Sequence, residues 1–289
     1  MDQAATIRWE RARKFGPDTG KRKKPPRVIA VTSGKGGTGK SNVVANLAYA
    51  MTLLGERVMV LDADLGLGNM DILLGLSPRY SIHDVIKGEK SLAQVLVEGP
   101  GGMKILPAGS GIEEMNNLSE GEKLNLMAEF ELLQGEIDTF LLDTGAGISE
   151  NVLYFNTAAQ EIVVVVSPEP TSVTDAYAIM KVLSNSYSER HFKLLVNSVR
   201  SEKEALNVFE NLCSVADRFL NISIDYMGFV PHDKSVPKAV MRQKAVLELY
   251  PASPASLSFV KLARNLKNTV PRMQPKGNMQ LFWNRLLEG

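Results

Sequence analysis

The chain has 289 residues, 44% apolar and 22% charged, the make-up of an ordinary globule with ample material for a buried core. Thirty-three basic residues against 32 acidic ones leave a net charge of +1, so no whole-molecule attraction to nucleic acid is expected. Residues 1–26 form a first segment, with Arg8, Arg11, Arg13, Lys14, Lys21, Arg22, Lys23 and Lys24 against few acids. A short helix is expected near 2–14, then a basic linker interrupted by Gly16-Pro17 and Pro25-Pro26. From 27 to 270 short apolar strands, at 28–33, 57–62, 103–106, 139–143, 161–167, 192–197 and 224–230, alternate with helical patterns. Their near-continuous Val, Ile and Leu content suits strands covered on both faces. The expected fold class is therefore α/β: one doubly wound, mostly parallel sheet with helices on both faces and ligands at the carboxyl ends of its strands. Residues 271–289 stand apart, with Met279, Phe282, Trp283, Leu286 and Leu287 on one helical stripe after Pro271 and Pro275. The single cysteine, Cys213, excludes a disulfide framework and a paired-cysteine metal site, and it reads as a buried small hydrophobe. No apolar run approaches the roughly 18 residues of a membrane span and the start lacks a signal-peptide core, so a cytoplasmic location is expected.

The run Ser33-Gly34-Lys35-Gly36-Gly37-Thr38-Gly39-Lys40-Ser41 sits between a strand pattern and the helix pattern beginning at Asn42, the context a phosphate-binding loop requires. Glycines at 34, 36, 37 and 39 let backbone N–H groups turn inward around a phosphate, and the N-terminus of the next helix adds partial positive charge. Lys40 is spaced to reach the β- and γ-phosphates of a nucleoside triphosphate, and the Ser41 hydroxyl to ligate Mg²⁺. Asp143 closes an apolar strand and opens Asp143-Thr144-Gly145-Ala146-Gly147. An acid there holds Mg²⁺ through water, and the glycines allow a backbone amide to sense the γ-phosphate. Asp62 and Asp64 end another strand on the same side by alternation, and Asp64 is available to orient an attacking water. The Asn197 amide suits the adenine edge, and Pro231-His232-Asp233 follows the last strand as a wall for the base, although both also suit ordinary turn chemistry. The guanine-reading Asn-Lys-x-Asp pattern is absent, which favours ATP. His83, His191 and His232 lack ligand-like spacing.

Together, Lys35 to Ser41, Asp62-Ala63-Asp64-Leu65-Gly66-Leu67-Gly68-Asn69-Met70-Asp71, Asp143 to Gly147, Asn197 and Pro231-His232-Asp233 resemble the MinD/ParA family of deviant Walker A ATPases. The resemblance runs in order through 27–270. It implies a MinD-like P-loop NTPase that hydrolyses ATP slowly with Mg²⁺ and cycles between an ADP-bound or apo monomer and an ATP homodimer. In such a dimer Lys35 crosses to the partner's nucleotide, Asp64 orients water, and Ser41, Asp62 and Asp143 lie on the magnesium side, with Gly36, Gly37, Thr38, Gly39, Lys40 and Asn42 around the phosphates. Two facing triphosphates repel, so a cation supplied in trans makes pairing ATP-dependent.

Gly145 stands where the family often has proline and Asn42 where it often has threonine. The Asp-Thr-Gly-Ala-Gly form and the leader Asp2-Gln3-Ala4-Ala5-Thr6-Ile7-Arg8 resemble the flagellar-number branch of that family (FlhG, FleN or YlxH), with Ile7 in place of a leucine. That branch implies control of flagellar number or placement, flagellar basal-body (C-ring) components as partners, and activation of the signal-recognition-type GTPase FlhF through Gln3. The stripe with Phe282, Trp283, Leu286 and Leu287, near Lys276 and Arg285, reads as reversible docking on the inner face of the cell membrane; packing against the body is the other reading. A MinD-type cell-division-site selector shares core and tail without needing the leader. A ParA-type DNA-partition protein has only the basic linker in its favour, and an iron–sulfur carrier relative would need paired cysteines.

Overall fold

Alternation along one strand sets the layers. In β1 (Arg27–Ser33), Val28 and Ala30 enter one apolar cluster and Ile29 and Val31 another, all at most 1% exposed. A strand apolar on both faces must be covered on both, which calls for helices above and below. The computed structural model describes residues 26–64, 70–107, 119–133 and 135–269. After β1 come α1 (Lys40–Leu53), β2 (Val58–Ala63), α2 (Met70–Leu74), α3 (Ile82–Ile86), α4 (Leu92–Val95), β3 (Val97–Glu98), a 3₁₀ turn (Pro100–Gly102) and β4 (Lys104–Pro107). Then follow α5 (Glu120–Leu132), β5 (Thr139–Ala146), α6 (Glu150–Ala158), β6 (Glu161–Val166), α7 (Pro170–Tyr187) and β7 (His191–Val199). The last elements are α8 (Glu202–Phe219), β8 (Ser223–Pro231), α9 (Ser235–Val240), α10 (Val246–Leu249) and α11 (Pro254–Asn268).

The strand order is β3-β4-β2-β5-β1-β6-β7-β8, and every described pairing is parallel except β3 with β4. The chain leaves β1 toward β2 on one side and reaches β6 on the other, so the loop after β1 opens where the strand order reverses. Ile82, Leu92, Phe130 and Phe155 cover one face at β2, β5 and β1, and Ile179 and Leu212 cover that face beyond β6. On the opposite face α1 lies between the sheet and α11. Its Val43, Val44, Leu47, Ala48 and Met51 are buried, because a helix wedged between two layers needs apolar residues around most of its circumference.

The doubly wound α/β sheet is the one expected. Three details differ. The two-residue β3 is too short to leave a periodic signal. β5 runs on to Ala146, because parallel neighbours on both sides (Ala63 opposite Thr144, Ser33 opposite Ala146) hold the Thr144-Gly145 backbone extended. Cys213 is half-buried rather than buried, and burial, then Asp217, pushes its thiol pKa up, so it stays protonated. The leader with Gln3 and the stripe with Phe282, Trp283, Leu286 and Leu287 lie outside the described residues, as do 65–69.

Gly34 shows how close the phosphate-loop segment comes to α7. A Cβ there would stand 2.1 Å from the Asp175 carbonyl carbon and 2.6 Å from the Ala176 nitrogen, both backbone, whereas one on Gly36 would meet nothing within 4 Å. Gly34→Ala is therefore expected to cost about 1–3 kcal/mol through overpacking, and Gly36→Ala within about 0.5 kcal/mol of nothing. Urea unfolding midpoints of the two nucleotide-free variants check this.

Candidate nucleotide-binding site

The turn from β1 into α1 is built on two left-handed glycines, Gly37 and Gly39, both at φ 82°. A side chain is strained there, and glycine is not. A Cβ on Gly39 would also stand 2.4 Å from Asn197 Nδ2. Its absence lets Asn197 donate to the Thr38 carbonyl at 2.8 Å, tying the end of β7 to the loop. Ser33 Oγ donates to the Lys35 carbonyl at 2.9 Å, and Gly147 N donates to the Ser33 carbonyl at 2.9 Å, which fixes the Asp143–Gly147 segment to the loop's base. Thr38 is 3% exposed, and its hydroxyl lacks a hydrogen-bond partner among the described residues. A buried hydroxyl without a partner costs free energy unless something polar meets it, and a phosphate oxygen in the loop would.

Lys40 and Asp143 meet behind that loop. The ammonium stands 2.5 Å from Asp143 Oδ1, the two side chains 6% and 1% exposed. Asp62 is opposite Asp143 in the β2–β5 register and is also buried. Burial raises both carboxyl pKa values. For Asp143 the Lys40 charge and hydrogen bonds from Lys40 and Ser41 oppose the rise. Asp62 is pushed up to about 6, with the Asp143 charge adding to burial; N–H groups of Met70 and Asp64, 3.0 and 3.3 Å from its oxygens, hold it down. Asp64 follows the end of β2 beside Gly145, where a Cβ would stand 3.5 Å from Asp64 Oδ1. One ammonium thus serves two crowded carboxylates, and a divalent cation held by Ser41 and the acids would relieve them. Among the described residues no three His, Cys, Asp or Glu side chains form a metal cluster, so the remaining oxygens would have to come from phosphate and water, as Mg²⁺ prefers.

A cleft of about 410 Å³ continues from the loop. Asn42, Asn197, Pro231, His232 and Asp233 line it. His232 Nδ1 lies 3.0 Å from Ser198 Oγ, and Ser198 is left-handed at φ 61°. Asp233 is spent on the wall: its oxygens accept N–H from Ser235 at 2.8 Å and Ala255 at 3.0 Å. Burial would raise its carboxyl, but those hydrogen bonds win and hold it low. It therefore helps to shape the wall of the cleft. Arg200 and Phe259 also line the cleft and were missed, because each arrives from a separate element with no local motif. Lys35 turns to the start of α7, 2.5 Å from Glu169 Oε2 and 2.9 Å from Thr171 Oγ1.

A glycine-turned loop at the strand-order switch, a buried lysine–aspartate pair and an adjoining cleft define a P-loop nucleotide-binding protein. Residues 29–246 match the model of the CobQ/CobB/MinD/ParA nucleotide-binding domain, and the chain belongs to that family. It is 46% identical over 264 residues to antiactivator FleN of Pseudomonas aeruginosa, covering 91% of this chain and 94% of that one. To the flagellum site-determining protein YlxH of Helicobacter pylori it is 33% identical, covering 91% and 90%. The septum site-determining protein MinD of Pyrococcus horikoshii, solved with Mg-ADP, shares the fold with a TM-score of 0.65 at 24% identity, covering 84% of this chain and 96% of that one. The protein is a nucleotide-binding ATPase of the MinD/ParA family. No helix among the described residues is long and apolar enough to cross a membrane.

The Asp62 carboxyl gives a pH test. Its folded pKa, about 6, lies above the ordinary 3.8, so the folded state holds the proton more tightly and stability falls as pH rises from about 4 through about 6. Asp62→Asn removes that cost and loses one N–H acceptor, for a net gain of about 1–2 kcal/mol in the nucleotide-free protein at pH 7. The gain is expected to shrink as pH falls and to give way to a small loss near pH 4. Urea unfolding across pH 4–7 measures it.

Proposed function

We propose that this chain is an ATP-driven dimerisation switch that sets flagellar number or placement. Its likeness to FleN and YlxH over nearly the whole length supports the flagellar reading. Lys35 carries the switch. Its ammonium sits at the mouth of the loop, 30% exposed, against a Glu169 that is 64% exposed. An exposed pair of this kind contributes about 0–1 kcal/mol, so the lysine leaves it at little cost. Freed, it extends toward the triphosphate of a second copy and offsets the repulsion between two facing nucleotides.

Within one subunit, Lys40 and the loop amides around Gly36, Gly37, Thr38 and Gly39 take the phosphates. Ser41 and Asp143, with Asp62 beside them, would hold Mg²⁺, which when bound would supply positive charge against the phosphates. Asp64 orients the attacking water, Asn42 lies by the phosphates, and Asn197 with the wall Pro231-His232-Asp233 takes the base. The chain divides into a leader (1–26), the ATPase body (27–270) and a tail (271–289). The tail stripe docks reversibly on the inner membrane face in the ATP dimer, where two weak anchors act together. Flagellar basal-body components meet the body, and Gln3 enters an FlhF-type GTPase to position water.

Light scattering behind size exclusion, in a non-hydrolysable ATP analogue and in ADP, is the deciding measurement. The wild type pairs in the analogue only; Lys35→Ala stays single with nucleotide affinity largely kept; Lys40→Ala loses the nucleotide. Asp64→Ala pairs but turns over about 100-fold more slowly. A wild type that stays single in the analogue, or a Lys35→Ala that pairs like it, removes the switch. For the leader, deleting residues 1–20 or substituting Gln3→Ala is expected to abolish stimulation of GTP hydrolysis by the FlhF-type partner while leaving ATP turnover unchanged. Full stimulation by both variants would leave a MinD-type division-site selector as the better reading.

A further inference from the structure

The end of β7 carries a backbone irregularity that the phosphate loop does not account for. Asn197 is opposite Val230 of β8 and Val199 is opposite Pro231, so Ser198 is one residue more than the neighbouring strand matches. A bulge of this kind re-aims a side chain, and bulges gather beside functional sites. Ser198 stands at φ 61°, in the left-handed region, where a side chain is strained and glycine is not. Pairing resumes beyond it, for His232 N donates to the Val199 carbonyl at 2.7 Å. The bulge is thus enclosed between two fixed strand ends.

One contact accompanies that strained position. Ser198 Oγ lies 3.0 Å from His232 Nδ1, and both residues line the cleft that continues from the phosphate loop. Among the described residues neither side chain has another hydrogen-bond partner. A hydroxyl both donates and accepts, so it meets Nδ1 in either neutral tautomer, and in each case Nε2 is the ring nitrogen left unbonded. His232 is exposed, so packing alone does not hold its ring. The preceding Asn197 donates instead to the Thr38 carbonyl. Consecutive residues of β7 therefore engage two parts of one cleft, Asn197 the phosphate loop and Ser198 the wall at His232.

We propose that Ser198 is a positioning residue: through Nδ1 it fixes the His232 imidazole so that the ring and its unbonded Nε2 meet the nucleotide base. The inference rests on the base-wall reading above and assigns the setting of that wall to a residue outside the Pro231-His232-Asp233 run. A surface imidazole free to rotate gives up rotamer freedom when a base docks on it, and one held beforehand does not. Glycine at 198 would relieve the backbone but release the ring. Ser198 therefore acts on nucleotide affinity through the base and leaves the phosphate contacts as they are.

Titration calorimetry of the full chain with Mg-ADP and with Mg-tripolyphosphate, which has no base, separates this role from a structural one. Ser198→Gly suits the left-handed backbone and removes the hydroxyl, so the fold is kept. It is expected to weaken ADP about three- to tenfold, the worth of one hydrogen bond, with tripolyphosphate bound as by the wild type. Ser198→Asn tolerates the same backbone and offers an amide to the ring, and it should restore most of the loss. His232→Ala should weaken ADP at least as much, and adding Ser198→Gly to it should cost nothing further, because the serine works only through the imidazole. If His232→Ala binds ADP as the wild type does, the base-wall reading fails and the positioning role goes with it. If His232→Ala weakens ADP and Ser198→Gly does not, the wall stands and the role of Ser198 is overturned. It is equally overturned if the two losses add, or if Ser198→Gly weakens tripolyphosphate as much as ADP.

Discussion

The buried meeting of Lys40 with Asp143 constrains everything around it. Two opposite charges withdrawn from water persist only in good geometry, with their remaining hydrogen-bonding capacity met. Here β5 fixes Asp143, β2 sets Asp62 directly beside it, and the first turn of α1 supplies both Lys40 and the Ser41 hydroxyl. The arrangement sets two buried carboxyl groups, both with pKa values raised by burial, against one ammonium. The same lysine is the residue proposed to serve the phosphates. Binding would exchange one partner for another at the floor of the loop rather than add charge to empty space.

The sheet separates two kinds of work by its length. At its carboxyl edge stand the loop, the paired acids and the cleft, all at the reversal of strand order. At its amino edge Arg27 binds the first strand to the last helix, and from that point leader and tail depart. Under the proposed reading, nucleotide chemistry sits at one edge and attachment at the other. Pairing of subunits is the natural link between them, since it multiplies weak attachment without altering any single contact.

Lys35 illustrates how a residue's type and its setting carry different information. A second lysine in the loop is visible in the chain, but its resting partners are not. Glu169 lies 134 positions away and comes near because β6 is the neighbour of β1, so the start of α7 opens beside the loop. Asp233 is a second case. Its place after the last strand suggests a wall for a base, and only the fold supplies the Ser235 and Ala255 N–H groups that meet its two oxygens.

By itself the sequence determined the period-two, two-sided burial of the strands, the glycine positions that demand left-handed backbone, and the lysine–serine pair at the head of α1. Each is a local matter of backbone sterics and spacing, complete within a dozen residues. Only the tertiary structure decided that Asp62 and Asp143 are neighbours, that Asn197 grips the Thr38 carbonyl, that Arg200 and Phe259 share one cleft, and that the two ends of the body are joined through Arg27 and Glu161. Those contacts follow from strand order and register. Such long-range pairing is fixed by burying all faces of the sheet at once, which no short stretch of chain encodes.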